Sequence, residues 1–353
     1  MVQIIDQIVK ISIQDAISSV TTVDVNTMAL VGKAEGKDAA EVSSLAGAKT
    51  AFGEDSELYQ MMKAFFEQDS HPSSVVGIPA GSDALAAVQA APENFDFYHV
   101  VVATDDAPAL ELASIKEWNG WATDVKKMVH IQVPNVVAMA GTDSSTDSGY
   151  DRVAVYVHKE KTTVGGKTVY EFLPVGIVAL RCASDSARGT FAHKKCKGVT
   201  PDSYSVEEYN EAIDRGLNIY VKVSGEARLF MGTTSSNEKF IDQIIKDDWI
   251  RFNVQSRIYK LLGEGNDGNG VNYDDAGIGA VAASVLNVLT VAQDTDHQYV
   301  MADSASVDYK PYSYLVENYA EDVRKRNLPL IKGRYARMNS IHTVVQVDLQ
   351  VTL

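Results

Sequence analysis

Two cysteines, Cys182 and Cys196, are all that the 353 residues contain. One pair makes no disulfide framework, and neither cysteine sits in a metal-binding pattern, so synthesis in a reducing compartment fits. No run of about 18 apolar residues occurs, which excludes a membrane-spanning helix. The opening MVQIIDQIVKISIQD lacks a basic region and a cleavage site, so no signal peptide is expected. Catalytic signatures are missing as well: there is no GxSxG, no Walker loop, no HExxH and no CxxC.

The remaining chemistry-bearing residues do not gather into a site. Seven histidines are scattered at positions 71, 99, 130, 158, 193, 297 and 342. His99, His130 and His158 each fall in an expected strand, and their spacing reads as core or edge histidines with satisfied hydrogen bonds. Asp105–Asp106 and Asp247–Asp248 are adjacent carboxylates, and adjacent side chains on a helix diverge instead of sharing a proton. The stretch GEGNDGNG at 263–270 contains GxGxxG, but it leaves a helix, whereas a dinucleotide loop follows a strand and opens one. It also lacks the alternating ligands of a calcium loop. No catalytic, cofactor-binding or metal-binding residue is therefore expected, and no cofactor.

What is present in quantity is acid. Forty-seven acidic residues against 32 basic ones give a net charge of −15, which argues against nucleic acid as a direct partner and favours solubility. The length suits two domains or three, and an apolar content of 45% supplies ordinary cores.

Along the chain, strands alternate with helices. Glu57–Glu67 reads as an amphipathic helix, Val75–Pro79 as a strand, and Ser82–Ala91 as a helix capped by Ser82 or Asp83. A strand at Phe97–Ala103, a helix at Ala107–Val125 and strands at Lys127–Val133 and Arg152–His158 follow. Pro174–Ala183 is an apolar helix, and two strands between Leu217 and Met231 close the unit. This rhythm predicts an α/β sheet with helical cover.

A long helix begins near Thr233–Asn237. Phe240, Ile241, Ile244, Ile245, Trp249, Phe252, Ile258, Tyr259 and Leu262 share one broad sector. Opposite lie Lys239, Asp242, Lys246, Asn253, Arg257 and Lys260, and four of these six are basic. They read either as a solvated face or as a docking stripe for an acidic partner. Asp248 and Arg251 fall inside the apolar sector, where charges need partners, and their i,i+3 spacing suits a mutual pair. A helix over Asp274–Ala292 is expected to cover Trp249 and Phe252. A second basic cluster comprises Arg324, Lys325, Arg326, Lys332, Arg334 and Arg337. It reads either as internal neutralisation or as contact with an acidic neighbour.

The chain closes on HTVVQVDLQVTL, where Val345, Val347, Leu349, Val351 and Leu353 alternate with polar residues. Ile4, Ile8 and Ile11 alternate more loosely at the other end, as strand or short helix. Neither segment has an obvious local hairpin partner, so both are expected to join a sheet elsewhere, in this chain or in another.

Taken together, the motif order resembles the tail sheath proteins of contractile phage tails and related injection systems. The resemblance rests on GVT at Gly198–Thr200, LNIYVKV at Leu217–Val223, the Gly232–Thr233 turn, FID at Phe240–Asp242, DWI at Asp248–Ile250 and the SIHTVVQVDLQVTL tail. Upstream, the FGEDSELYQMMKAFF helix and NFDFYHVVVATDD are similar too, so most of residues 50–353 are covered.

The resemblance implies an N-terminal α/β sandwich domain (21–234) followed by an α+β C-terminal, tube-facing domain (235–353). It also implies strand-exchanging arms at 1–20 and 343–353. The implied role is structural, not enzymatic. Such subunits polymerise helically around an inner tail tube and contract to drive it through a host envelope. The implied partners are other copies of the chain, the inner tube protein, and baseplate and tail terminator proteins, with no nucleic acid and no membrane insertion. The implied place is a virion tail assembled in the bacterial cytoplasm. Under this reading Lys239, Lys246, Arg257 and Lys260 face the tube. An R-type bacteriocin or other injection sheath fits equally, and a nucleotide-binding α/β enzyme is the alternative from another class.

Overall fold

The computed structural model describes residues 24–92, 94–102, 112–135, 150–158, 161–164, 167–235, 239–264 and 270–342. The terminal segments 1–20 and 343–353, with Ile4, Ile8, Ile11, Val345, Val347, Leu349 and Val351, lie outside the described residues. So do Asp105, Asp106 and most of the 263–270 stretch.

Eight strands form one mixed sheet: β1 (Met28–Gly32), β2 (Ala40–Val42), β3 (Val75–Pro79), β4 (His99–Val102), β5 (Met128–Val133), β6 (Val153–Val157), β9 (Asn218–Val223) and β10 (Glu226–Phe230). Their order is β10-β9-β6-β5-β4-β1-β3-β2. The interior pairs run parallel, and an antiparallel strand closes each edge, β10 on β9 and β2 on β3. Strands β7 (Lys161–Val164) and β8 (Lys167–Tyr170) form a separate hairpin.

Interior strands such as HVVV and VAVYV are buried along their whole length. This is why they read as apolar runs: a parallel strand is covered on both faces. Alternate residues feed two cores. Leu30, Val101, Ala154 and Tyr156 point to one side, with α1 (Leu45–Phe52), α2 (Glu57–Phe66), α5 (Leu173–Ala183) and α7 (Ile241–Glu264). Val31, Val100, Val102, Val153 and Val155 point to the other, with α3 (Ala84–Gln89), α4 (Leu112–Val125) and α6 (Val206–Asp214). Gly77 of β3 lets α1 and α2 approach, since a Cβ there would overlap the Phe52 ring and the Met62 methyl.

Local chemistry sets the helix starts. Ser44, Ser56, Asp83 and Asp274 accept backbone N–H bonds at their N-caps, and Ser205 with Glu208 forms a capping box. After α7, helix α8 (Asp275–Val291) packs on it through Val281, Val285 and Leu289. A small outer layer follows: β11 (Ser306–Asp308), α9 (Tyr312–Asn318), α10 (Ala320–Arg324) and β12 (Lys332–Arg334), with β11 and β12 paired.

The long helix departs from its expected sector in two ways, at its last turns and at Trp249. Ile241, Ile245, Phe252 and Ile258 are buried, but Tyr259 and Leu262 are exposed, because the last turns run past the surface that the helix packs on. Phe252 is buried, and it meets the Tyr98 ring edge-on at 6.5 Å, against the sheet. Trp249 is only partly buried, and it packs on His297 and Tyr299.

Phe252→Ala should cost about 3–5 kcal/mol, as expected for an aromatic ring lost from a packed core. Urea unfolding measures this directly. A loss below about 1 kcal/mol, with the fold intact, would mean that this face of α7 is not a core.

Candidate functional site

Three chain segments converge where α7 crosses the sheet. Arg152 precedes β6, Tyr98 precedes β4, and Asp248 lies on α7. The Arg152 guanidinium donates to both Asp248 oxygens, at 2.6 and 2.8 Å, and the Tyr98 hydroxyl donates to Asp248 at 2.6 Å. Asp248 is buried, and beyond the Arg251 that local spacing offers at i,i+3, a fork-shaped partner from the sheet satisfies both its oxygens. Burial opposes the charge of Arg152, yet Asp248 holds its pKa above the usual range. Burial and the Asp248 charge likewise raise Tyr98, which stays a phenol. Neighbouring Asp247 turns the other way, to Tyr335 and Arg337.

The strand histidines do come together, in part. His99 Nδ1 lies 2.9 Å from His130 Nε2, and His130 Nδ1 lies 3.1 Å from the Tyr156 hydroxyl, a chain of polar groups crossing β4, β5 and β6. Phe191 stacks on His130 at 6.0 Å. Burial drives both histidines to the neutral form, His99 down to about 3. His158 stands apart at the end of β6. It is held between Asp202 at 2.6 Å and Glu171 at 2.8 Å, with Thr200 donating to Glu171. Burial works against its charge, but hydrogen bonds to the two carboxylates raise it to about 9. An imidazolium thus ties the 199–202 loop to the sheet.

Both thiols are free and buried, and burial pushes Cys196 up to about 12, so neither is a thiolate near neutral pH. A cavity of about 590 Å³ beside Cys196 is bordered by Lys195 and Lys197, which pair with Glu226 and Asp69. Among the described residues, no group of three or more His, Cys, Asp or Glu is placed to hold a metal ion, and no helix is long and apolar enough to cross a membrane.

The four basic residues expected on one stripe of α7 do not share a surface. Lys246 is 1% exposed, paired with Asp242 at 2.6 Å and donating to the Met338 carbonyl at 2.8 Å. Segment 335–342 lies across that face and covers it, so Lys246 cannot meet a partner. Lys239 pairs with Asp151. Arg257 and Lys260 are exposed and make no ion pair among the described residues. In the second cluster, Arg324 and Lys325 pair with Glu321, Arg334 with Asp308 and Arg337 with Asp247, so internal neutralisation accounts for four of its six members. The i,i+4 spacing of Asp242 and Lys246 is the signal that marks their pairing in sequence. No local pattern points to Tyr98 or Arg152, whose partner lies 150 or 96 residues away.

Stability should peak near pH 6.5. His158, raised by its partners, contributes fully below about 6.5 and loses its contribution as pH climbs through about 9, at most about 3 kcal/mol. His99 and His130, lowered by burial, withdraw theirs as pH falls from about 6.5 towards 3. Melting temperature against pH reads both limbs, and His158→Gln should flatten the alkaline one alone. A symmetric loss of both limbs in that variant would contradict the assignment. Separately, Asp248→Ala should cost about 3–5 kcal/mol by orphaning Arg152, a larger loss than Tyr98→Phe, in chemical denaturation.

No family model and no curated protein matches this sequence. Solved structures do. The chain is similar to one in the anti-feeding prophage baseplate (13% identity, TM-score 0.69, 97% of this chain and 98% of that one). It is also similar to one in the helical sheath of that prophage in its contracted state (11% identity, TM-score 0.68, the same coverage). A sheath tail protein from Desulfitobacterium hafniense matches more distantly (8% identity, TM-score 0.52, covering 83% and 92%). At these identities the likeness is one of architecture, and it runs almost from end to end: this chain has the fold of contractile sheath proteins.

Proposed function

We propose that this protein is the subunit of a contractile sheath that polymerises helically around an inner tube and contracts to drive the tube through an envelope. The observation that supports the reading is the match of the whole fold to a chain of a contracted helical sheath, and to one of a baseplate, with both members of each pair covered nearly completely. An enzyme sharing only an α/β sheet would leave the C-terminal layer unmatched. The role is structural, not enzymatic. It extends to a phage tail, an R-type bacteriocin or another injection particle, since the subunit's task is the same in each. Its partners are other copies of the chain, the inner tube, and baseplate and terminator proteins. Assembly takes place in the bacterial cytoplasm.

Within this proposal, residues 21–234 form the outer body and 235–353 carry the inward face. The alternating segments around Ile4, Ile8 and Ile11, and at Val345, Val347, Leu349 and Val351, pair with strands of neighbouring copies. The alternation of apolar and polar residues in these segments suits addition to a sheet edge, and heterologous contacts build open helical assemblies. Arg257 and Lys260, with Lys239 just before the same helix, meet an acidic tube surface. Each contact contributes about 0–1 kcal/mol and acts by summing over many subunits.

Purified protein should form hollow, striated tubes in negative-stain images, and deletion of 343–353 should leave a soluble monomer that does not polymerise. Normal tubes from the truncated chain would remove the exchange from the account. Arg257→Glu/Lys260→Glu should still form sheath alone but fail to coat purified inner tubes, a defect that high salt mimics in the unaltered protein. Coating by the double variant at all salt concentrations would move the tube contact elsewhere.

A further inference from the structure

The burial of Lys246 has a counterpart in the chain that covers it. Residues 335–342 run between α7 and the 299–304 loop and are fastened along both borders. On the loop side, Val300 and Arg337 form an antiparallel bridge, with Met338 N–H donating to the Tyr299 carbonyl and Met301 N–H to the Ala336 carbonyl, both at 2.8 Å. On the helix side, Lys246 donates to the Met338 carbonyl, Asp247 accepts from Tyr335 and Arg337, and Gln243 donates to Asn339 at 3.2 Å. Beyond these, His342 is gripped by the sheet unit. Its Nε2 lies 2.7 Å from the Thr190 hydroxyl, its carbonyl accepts from His193 Nε2 at 3.2 Å, and its ring meets Phe240 edge-on at 4.5 Å.

We propose that Lys246 is a positioning residue. With Asp242, Asp247 and Gln243 it forms a clamp that orders 335–342 and so fixes the point and direction from which the C-terminal segment departs towards a neighbouring copy. The inference rests on the sheath reading, and it goes beyond it in assigning the device that aims the segment. A strand that must find one edge on another subunit gains from a root that is already ordered, because the entropy of fixing that root is then not charged to each association step. A buried ammonium suits the task, since it offers the Met338 carbonyl a charge-assisted donor from a fixed position and tolerates few alternative paths for the backbone. Residues 336–341 keep their outer side open to solvent, Ile341 most of all at 83%, so the track is held by its two borders and not by a cover of its own.

The test uses the full chain. Asp242→Leu/Lys246→Met removes both buried charges together, so neither is orphaned. Gln243→Ala/Arg337→Gln loosens the track from its outer side without entering the core. Amide hydrogen exchange is followed at Ala336 and Met338 and, as a reference, in β4 and β5, alongside tube formation by electron microscopy. Exchange at Ala336 and Met338 should quicken at least about tenfold in both variants, with the reference strands unchanged. Tube yield should fall in the same order as protection is lost. Unchanged protection at Met338 would overturn the clamp, and tubes at the unaltered yield with the clamp open would overturn its role in aiming the segment. Absence of tubes from the unaltered chain would count against the sheath reading and leave the exchange comparison to decide the clamp.

Discussion

The ion pair between Arg152 and Asp248 is the contact on which the arrangement of this molecule depends. It joins a residue at the mouth of a central strand to the second turn of the longest described helix, and both members are buried. A buried pair of this kind adds little over a well-packed apolar contact, but losing either member leaves a charge in the core. Its effect is to admit one placement of α7 on the sheet. A bidentate fork, with Tyr98 as a third arm, is satisfied in a single orientation, whereas Ile241, Ile245 and Phe252 alone would tolerate sliding.

Much else follows from that placement. With α7 fixed, α8 has a surface to cover, and the 299–342 layer builds on both. The same helix then carries two different polar faces. One, at Asp242, Gln243, Lys246 and Asp247, is consumed inside the chain by residues 335–339. The other, at Arg257 and Lys260, is left to solvent on either side of Ile258, a buried residue of the same helix. A helix locked to its sheet in this way passes force between the sheet and the layer that packs on the helix.

What the sequence made legible follows burial. Strands such as HVVV and VAVYV announce themselves because both faces are covered, and Ser205–Glu208 and Asp274 mark helix starts by capping chemistry. Strand β1, MALVG, is central yet mixes Ala, Met and Gly in five residues, too short for a period to emerge. Helix α1 hides in an Ala- and Gly-rich stretch for the same reason. Lys246 was misplaced because a helical wheel sends every lysine to solvent unless a partner is known. Its partners, apart from Asp242, come from 92 residues further on. Arg152 is out of reach in the same way: local spacing offers Asp248 the neighbouring Arg251, and the sheet supplies a fork from 96 residues away. Long-range pairing of charges is the part of this fold that periodicity does not encode.

The central claim, that the buried pair makes the sheet and the long helix one mechanical unit, is open to native-state hydrogen exchange across a series of sub-denaturing urea concentrations. The account predicts that the most protected amides of α7, around Ile245 to Arg251, and those of β4 to β6 merge into one unfolding isotherm of common free energy and slope. Opening of α7 at a distinctly lower free energy, with the sheet still protected, would contradict it.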